Sequence, residues 1–420
     1  MVRELSVRLC GKPVGTLRLS SGSMVFQYKN ASRSLSLSMP IRDEPYTNKA
    51  CEAYFGGLLP DNTQTKQLIA KLYGIASNSS FGLLEKIGFD CAGAVSLVEH
   101  SESVEETAAF KLRGCTLSEE ELYTHLKELP DRPLFIGIEG LRISLAGAQE
   151  KTALCVIDGE ICVPNQNVPT THILKPRIRG LEQSVVNEYL CMRLAKIVGI
   201  QTPNVEIRTA GEIEYLLVER HDRFIENGLI TRIHQEDFCQ ALGVVSTKKY
   251  QSDGGPSIQN CFDLLEKTTY PALAKVELLK RVIFNYLVGN ADCHGKNFSL
   301  LHTESSSILA PAYDVLCTAI YVADSSNQLL STKFAMAIGG ESDMYRIRLK
   351  NWQRFCELIK VSPAACKRTC LELIDRVIKA APELQFHLLE IGHWNPIADR
   401  ICKLIEERAQ ELRGTANKLS

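Results

Sequence analysis

Hydrophobic and polar positions alternate with period two through the first forty residues. ELSVRL, TLRL and MVFQY flank GKPVG, and SLSLSM follows. An apolar residue at every second position suits one buried face of a sheet, so this stretch predicts a hairpin or meander with a Gly/Pro turn. The period then changes. In FGGLLPDNTQTKQLIAKLYGI, Pro60 and Asp61 stand at a helix start, before Leu68, Ile69 and Leu72 at helical spacing. Residues 93–98 (GAVSLV) read as a strand closing this part, and Ser101 to Glu106 as an acidic connection.

Further on, 116–129 predicts a helix capped by Thr116 or Ser118, with glutamates in its first turn. ISLAGAQEKTALCVI reads as strand, small-residue turn and strand, and THILKP as a short strand ending at a proline. VVNEYLCMRLAKIVG (185–199) has helical spacing with Gly199 at its stop, and EYLLVER is a buried strand. From Ile233 the pattern turns helical: QEDFCQALG, a long segment from Ala272 to Gly289, then two or three helices through Arg413. A loop (ADCHGKN), a strand (FSLLH) and PAYDV interrupt them. The expected organisation is a small α+β domain at 1–105, a sheet with one helix at 106–232, and a mainly helical part at 233–420.

Composition agrees with several folding units of a globular protein: 420 residues, 45% hydrophobic and 23% charged. A net charge of −1 provides no overall field for a polyanion, so any nucleic-acid contact would need a local patch or a partner. No apolar run approaches the roughly 18 residues of a membrane span, and MVRELSVRLCGKPVG has no signal-peptide core, so the expected place is the cytoplasm, without membrane contact. The fifteen cysteines form no CxxC, and Cys155, Cys191, Cys239 and Cys261 lie in apolar runs. They read as small buried hydrophobes in a reducing compartment.

The candidate chemistry begins at Asp292-Cys293-His294-Gly295-Lys296-Asn297. D-x-x-x-x-N between a helix and a strand is the spacing of a kinase catalytic loop, where the Asp orients or deprotonates an acceptor hydroxyl and the Asn holds Mg²⁺. The same short polar residues equally serve an Asx turn or helix C-cap. Asp314, in Tyr313-Asp314-Val315, fits the slot of a second metal carboxylate, or is a turn former after Pro311. Upstream, Ser144-Leu-Ala146-Gly147-Ala148-Gln149-Glu-Lys151 is a small-residue turn whose backbone N–H groups could approach phosphates, or a plain β-turn. Lys175 stands where a strand lysine would neutralise phosphate charge, with Glu188 on the next helix as its partner; either could be a solvated surface charge. Glu219, Arg220 and His221 end the LLVER strand, where a kinase hinge would hold adenine through backbone groups, or His221 is only a strand-end polar residue. The order of the whole set is rarer than any single match.

Together SLAGAQEKTAL, PTTHILKP, NEYLCMRLA, LLVERHDR, QEDFCQALG, KYQSDGGP, NADCHGKNFSL and PAYDVL resemble HipA-type serine/threonine kinases, the toxins of bacterial toxin–antitoxin pairs. The N-terminal meander, FGGLLPDN and YGIASNSSFGLLEKIGFDCAGAVSL resemble the N-terminal subdomain of that family. The resemblance implies an α+β, two-lobed protein-kinase-like fold, with a small β-rich N-terminal subdomain and a mainly helical C-terminal lobe. It implies ATP and Mg²⁺ as cofactors, Asp292 as catalytic base, Asn297 and Asp314 as metal ligands, and Lys175 as a phosphate contact. His294 and Glu219 to His221 would contact the nucleotide, and Ser144 would be an inactivating autophosphorylation site. A dianion there would repel ATP phosphates. Two features depart from the pattern: His221 stands where VERFDR would carry Phe, and 176–184 is short.

The resemblance further implies a HipB-like helix-turn-helix antitoxin, contact with operator DNA mainly through it, and an aminoacyl-tRNA synthetase target, glutamyl-tRNA synthetase first. Two other functions share parts of this pattern. A small-molecule phosphotransferase would show an open acidic acceptor pocket, and a non-catalytic corepressor would not need Asp292, Asn297 and Asp314 intact.

Overall fold

The computed structural model describes residues 3–76, 79–99, 107–138, 141–322 and 331–419, so the connection expected at 101–106 lies outside the described residues. The chain forms two compact units. The first comprises Met1–Pro176, Arg208–Lys248 and Ser299–Ser307; the second comprises Arg177–Ile207, Lys249–Phe298 and Ile308–Ser420.

The first unit is β-rich. Its meander is observed as the antiparallel strands Glu4–Leu9, Lys12–Ser20 and Ser23–Tyr28, with Val95–Glu99 pairing on the free side of the first. Cys10-Gly11 and Ser21-Gly22 turn the hairpins with both residues at positive φ, the geometry whose twist matches the strands it joins. Leu5, Val7, Leu17 and Phe26 are fully buried on the inner face. SLSLSM is not a further strand. Only Ser36 and Met39 bridge, because the Ser36 hydroxyl and the Leu37 N–H are taken by the buried carboxylate of Glu236. After a first helix, Asn48–Tyr54, the helix expected near residue 60 starts at Thr63 rather than at Pro60 or Asp61, since the Asn62 side chain accepts from the N–H groups of Gln64 and Thr65. Ser118 does cap the helix Glu119–Glu128, in a capping box with Glu121.

A second sheet runs in the order Val205–Ala210, Ile213–Glu219, His172–Pro176, Thr152–Ile157, Glu160–Pro164, Gly114–Thr116, and Lys175 lies opposite Leu216. The strand expected just before the small-residue turn is absent: Ile143 and Gly147 make only single bridges, to Asp90 and Pro60. QEDFCQALG likewise divides, into the strand His234–Asp237 paired with Ser299–His302 and a one-turn helix, Phe238–Ala241.

The second unit is helical. Ser184–Ile197, Pro271–Val288, Pro363–Glu390 and Pro396–Asn417 pack on one another and bury Leu190, Ile283, Leu287, Ile374, Val377, Ile401 and Ile405. Proline opens three of these helices, where its missing N–H leaves no hydrogen bond unmade. Trp352, 2% exposed, meets Tyr286 and Phe355 edge-on at 5.4 and 5.5 Å. The helix Ser184–Ile197, grouped by sequence with the sheet at 106–232, belongs with the helical unit. All fifteen cysteines are free thiols, and eleven are buried. Among the described residues no helix is long and apolar enough to cross a membrane.

Candidate functional site

In the helical unit the candidate catalytic loop begins where Gly289, at φ +68°, stops the helix Pro271–Val288. The loop is tied at nearly every residue. Asn290 donates from Nδ2 to Asn285 Oδ1 (2.8 Å) and accepts from the Asp292 N–H on Oδ1 (3.2 Å). The Ala291 N–H donates to Thr318 Oγ1 (2.8 Å), and its carbonyl accepts from the Ala335 N–H (2.8 Å). The Asp292 carbonyl takes two donors, the His294 N–H and Asn297 Nδ2, each at 2.8 Å.

The five-residue spacing therefore closes the loop through the Asn297 amide nitrogen, and the Asx turn is made by Asn290, whose Oδ1 accepts from the N–H two residues on. Two further groups come from residues 249–250. Tyr250 donates its hydroxyl to Asp292 Oδ1 (2.6 Å), and the Lys249 carbonyl accepts from the Gly295 N–H (3.3 Å). His294 is buried, its ring edge-on to Tyr250 at 5.1 Å.

Asp314 is brought to the same loop. The neighbouring Tyr313 hydroxyl donates to the Lys296 carbonyl (2.8 Å), the Ala312 N–H to the Gln201 carbonyl (2.7 Å), and Asn187 clasps Cys317 through both its N–H and its carbonyl (2.7 and 2.9 Å). Asp314 sits at φ +53°, a left-handed conformation that Asp tolerates better than most residues. An amide oxygen such as that of Asn297 and a carboxylate such as that of Asp314 are hard donors, of the kind that suits a magnesium-like ion completing its shell with phosphate and water. Among the described residues no cluster of three or more His, Cys, Asp or Glu side chains offers a full protein cage.

The other candidates lie in the β-rich unit, apart from Glu188. Ser144 is fully buried; its hydroxyl donates to the Leu58 carbonyl (2.8 Å) and its N–H to the Asp90 carbonyl (3.1 Å). The Gly147 carbonyl accepts from the Asp61 N–H (3.0 Å). Gly147 itself is at φ +104°, a backbone conformation that favours glycine, and a Cβ there would stand 2.4 Å from Lys151 Nζ, so the flexible end of that lysine would have to move. Ala146 and Ala148 flank it, and Gln149 donates to the Pro176 carbonyl (3.3 Å), beside Lys175. Lys175 and Glu188 are each only 4% exposed, which removes the solvated-charge reading for both.

The Arg220 guanidinium is spent on Asp222, Asp90, Thr170 and the Cys91 carbonyl, and it is 3% exposed, so the side chain is an internal tie, whereas the hinge contact expected of this strand end is one through backbone groups. Arg223 joins the cluster through Asp90 (2.7 Å). Burial alone would raise the Asp90 carboxyl, but the facing Arg220 and Arg223 hold it below the ordinary carboxylate range. Because Asp90 also accepts from the Ser144 N–H, this ion cluster backs the small-residue turn. Glu219 pairs with His172 in the sheet, and His221 Nε2 bonds Gln235 Oε1 (2.8 Å).

Sequence reasoning missed Tyr250, Asn290, Asp61 and Asp90. KYQSDGGP carried the only signal for Tyr250, as a matched string without a role.

Comparisons with known proteins follow this layout. The model of the HipA-like C-terminal domain matches residues 143–384, and that of the HipA N-terminal domain matches 5–98. The chain is 39% identical over 421 residues to a putative kinase, Y4mE, of Sinorhizobium fredii, spanning 96% of this chain and 99% of that protein. It is 34% identical over 322 residues to the serine/threonine-protein kinase toxin HipA of Shewanella oneidensis, spanning 74% of this chain and 71% of that one. The solved complex of HipA, HipB and operator DNA from Shewanella oneidensis contains a chain that superposes with a TM-score of 0.80 at 26% identity, covering 99% of this chain and 97% of that one. The α+β, HipA-like fold expected from sequence is the observed one.

Proposed function

The chain belongs to the HipA family of kinase toxins, and on that premise we propose that it transfers the γ-phosphate of ATP to a serine hydroxyl of a protein, with Asp292 as the base. The observation that carries this is the Asn297 side chain, which donates to the Asp292 carbonyl and so joins the proposed base and the proposed metal ligand in one loop. Asp292 takes the acceptor's proton, the acceptor oxygen bonds to the γ-phosphorus, and the bond from that phosphorus to the β–γ bridging oxygen breaks, leaving ADP. Asn297 and Asp314 would hold Mg²⁺, which when bound neutralises charge on the phosphates. The turn 144–151 and Lys175 would face the phosphates with N–H groups and an ammonium.

The acceptor implied by the family resemblance is an aminoacyl-tRNA synthetase such as glutamyl-tRNA synthetase, whose modification would stop translation and arrest growth. A HipB-like antitoxin is the proposed partner, with operator DNA reached mainly through it; the superposed HipA chain comes from such a complex. Ser144 is the proposed autophosphorylation site. Its hydroxyl has no exposure, so the turn must first release Leu58 and Asp90 before a phosphoryl group can reach it.

The test is mass spectrometry of the purified chain after incubation with MgCl₂ and ATP. One phosphate on Ser144, absent in Asp292→Ala, is expected. No phosphate on the wild-type chain, and none on glutamyl-tRNA synthetase or any other synthetase supplied, overturns the proposal.

A further inference from the structure

Resting on the reading of Asp292 as the base, we propose that Tyr250 is a positioning residue for phosphoryl transfer, fixing which oxygen of the Asp292 carboxylate receives the acceptor's proton. Four observations of the helical unit converge on it. The Tyr250 hydroxyl donates to Asp292 Oδ1 at 2.6 Å, a short hydrogen bond to a carboxylate. The residue before it takes the Gly295 N–H on its carbonyl, and the residue after it, Gln251, accepts the Ala337 N–H on Oε1 at 2.8 Å. The Tyr250 ring stands edge-on against buried His294, which fixes its direction from the other side. The tyrosine thus reaches the loop from a segment that is itself anchored to that loop and to the strand Lys333–Ile338.

A carboxylate on a single χ2 torsion rotates broadly, so a base with one oxygen unheld presents no fixed lone pair to its substrate. Holding Oδ1 restricts that torsion and assigns proton transfer to Oδ2. The main-chain bonds at Asn290, His294 and Asn297 fix the backbone of Asp292; none of them fixes its side chain. That task falls to Tyr250. Orientation of a reacting group is worth large factors in rate when other binding is unchanged, and one lost orienting bond is expected to cost about tenfold.

The experiment compares ADP formation from Mg–ATP by the full chain in four forms: wild type, Tyr250→Phe, Asp292→Ala and the double variant. Tyr250→Phe removes one oxygen and keeps the ring against His294, so its thermal midpoint should match wild type. Expected is a roughly tenfold lower maximal rate at an unchanged half-saturating ATP concentration, and no further loss when Tyr250→Phe is added to Asp292→Ala. A full maximal rate in Tyr250→Phe, a loss confined to ATP affinity, or an additive loss in the double variant overturns the positioning role. An Asp292→Ala chain as active as wild type overturns the underlying reading instead, so the two failures are distinguishable.

Discussion

The loop at 292–297, in the helical unit, and the turn at 144–151, in the β-rich unit, are both short and polar, yet they are built differently. The loop bonds itself as well as distant segments: Asn290, His294 and Asn297 all bond Asp292, which lies within five positions of each, beside the ties to Thr318, Ala335, Lys249 and Tyr250. The turn makes its ties to Leu58, Asp61 and Asp90, segments far away in the chain, and has no strand of its own before Thr152. A self-bonded loop keeps its geometry as long as its unit is folded. A turn hung on distant segments can leave its seat while the rest of its unit stays folded, and that is what modification of buried Ser144 requires.

The sharpest way to break this contrast is to cut the loop's own clasp. Asn297→Ala removes both the donor to the Asp292 carbonyl and the oxygen proposed for the metal. Phosphate transfer, read by intact mass, should fall about 10²–10³-fold, the scale of losing one preorganised electrostatic group. Asn297→Asp keeps an oxygen but loses the donor, and should recover only part of the rate. Full recovery would mean that the clasp is irrelevant and the loop is held from elsewhere.

In the turn the strongest perturbation is a charge. Ser144→Asp puts a carboxylate at a site with no exposure, facing the Leu58 carbonyl instead of donating to it. If the turn stayed seated, the cost would be about 3–5 kcal/mol, as for an unpaired buried charge. If the turn can swing out, denaturant unfolding should show a much smaller loss, while binding of a fluorescent ATP analogue disappears. A loss of the full size, with the chain globally destabilised, would remove the contrast drawn above.

The same contrast explains what could be read from the sequence. The closing of the D-x₄-N loop was legible because its partners are neighbours, and the first hairpin of the meander was legible for the same reason, its turn at Cys10-Gly11 having both residues at positive φ. The strand expected at 143–145 and the strand expected of SLSLSM failed because their alternation reflects bonds to Asp90 and Glu236, which no local pattern shows. The bonds of the Arg220 side chain were hidden on similar grounds: a charge at a strand end reads alike whether it meets a ligand or Asp90, some 130 residues earlier.

His234 tests whether the segment after the meander hangs on distant contacts too. Its Nε2 donates to the Leu35 carbonyl (2.7 Å), while Nδ1 is buried without a partner. Burial, with His302, Arg33 and Arg232 facing it, lowers its pKa from 6.5 to about 3, against the weaker pull of the Leu35 carbonyl. The folded chain therefore refuses a proton that the unfolded chain accepts, so this stabilisation is complete above about pH 6.5 and declines as pH falls toward 3. Asp90 and Asp222 have lowered values and weaken the fold only below about pH 4, outside that window. Urea midpoints at pH 7.5 and 5 should differ clearly in wild type and much less in His234→Asn. Equal drops in the two chains would place the acid sensitivity elsewhere.

The smallest expected effect examines the thread by which the turn hangs. Asn62 caps the helix Thr63–Tyr73, and the residue just before it, Asp61, donates its N–H to Gly147. Asn62→Ala should cost about 1 kcal/mol of stability, the usual value of such a cap. Were all of that transmitted to the phosphate turn, ATP affinity would fall about fivefold, which is the upper bound. Pro60 also bridges Gly147, and Leu58 holds Ser144, so the turn keeps two of its three ties on this side. The expected result is a lowered thermal midpoint with ATP affinity reduced about twofold or less. A fivefold loss would show that the helix start and the turn move as one body, and that the seat of Ser144 is only as firm as the cap beside it.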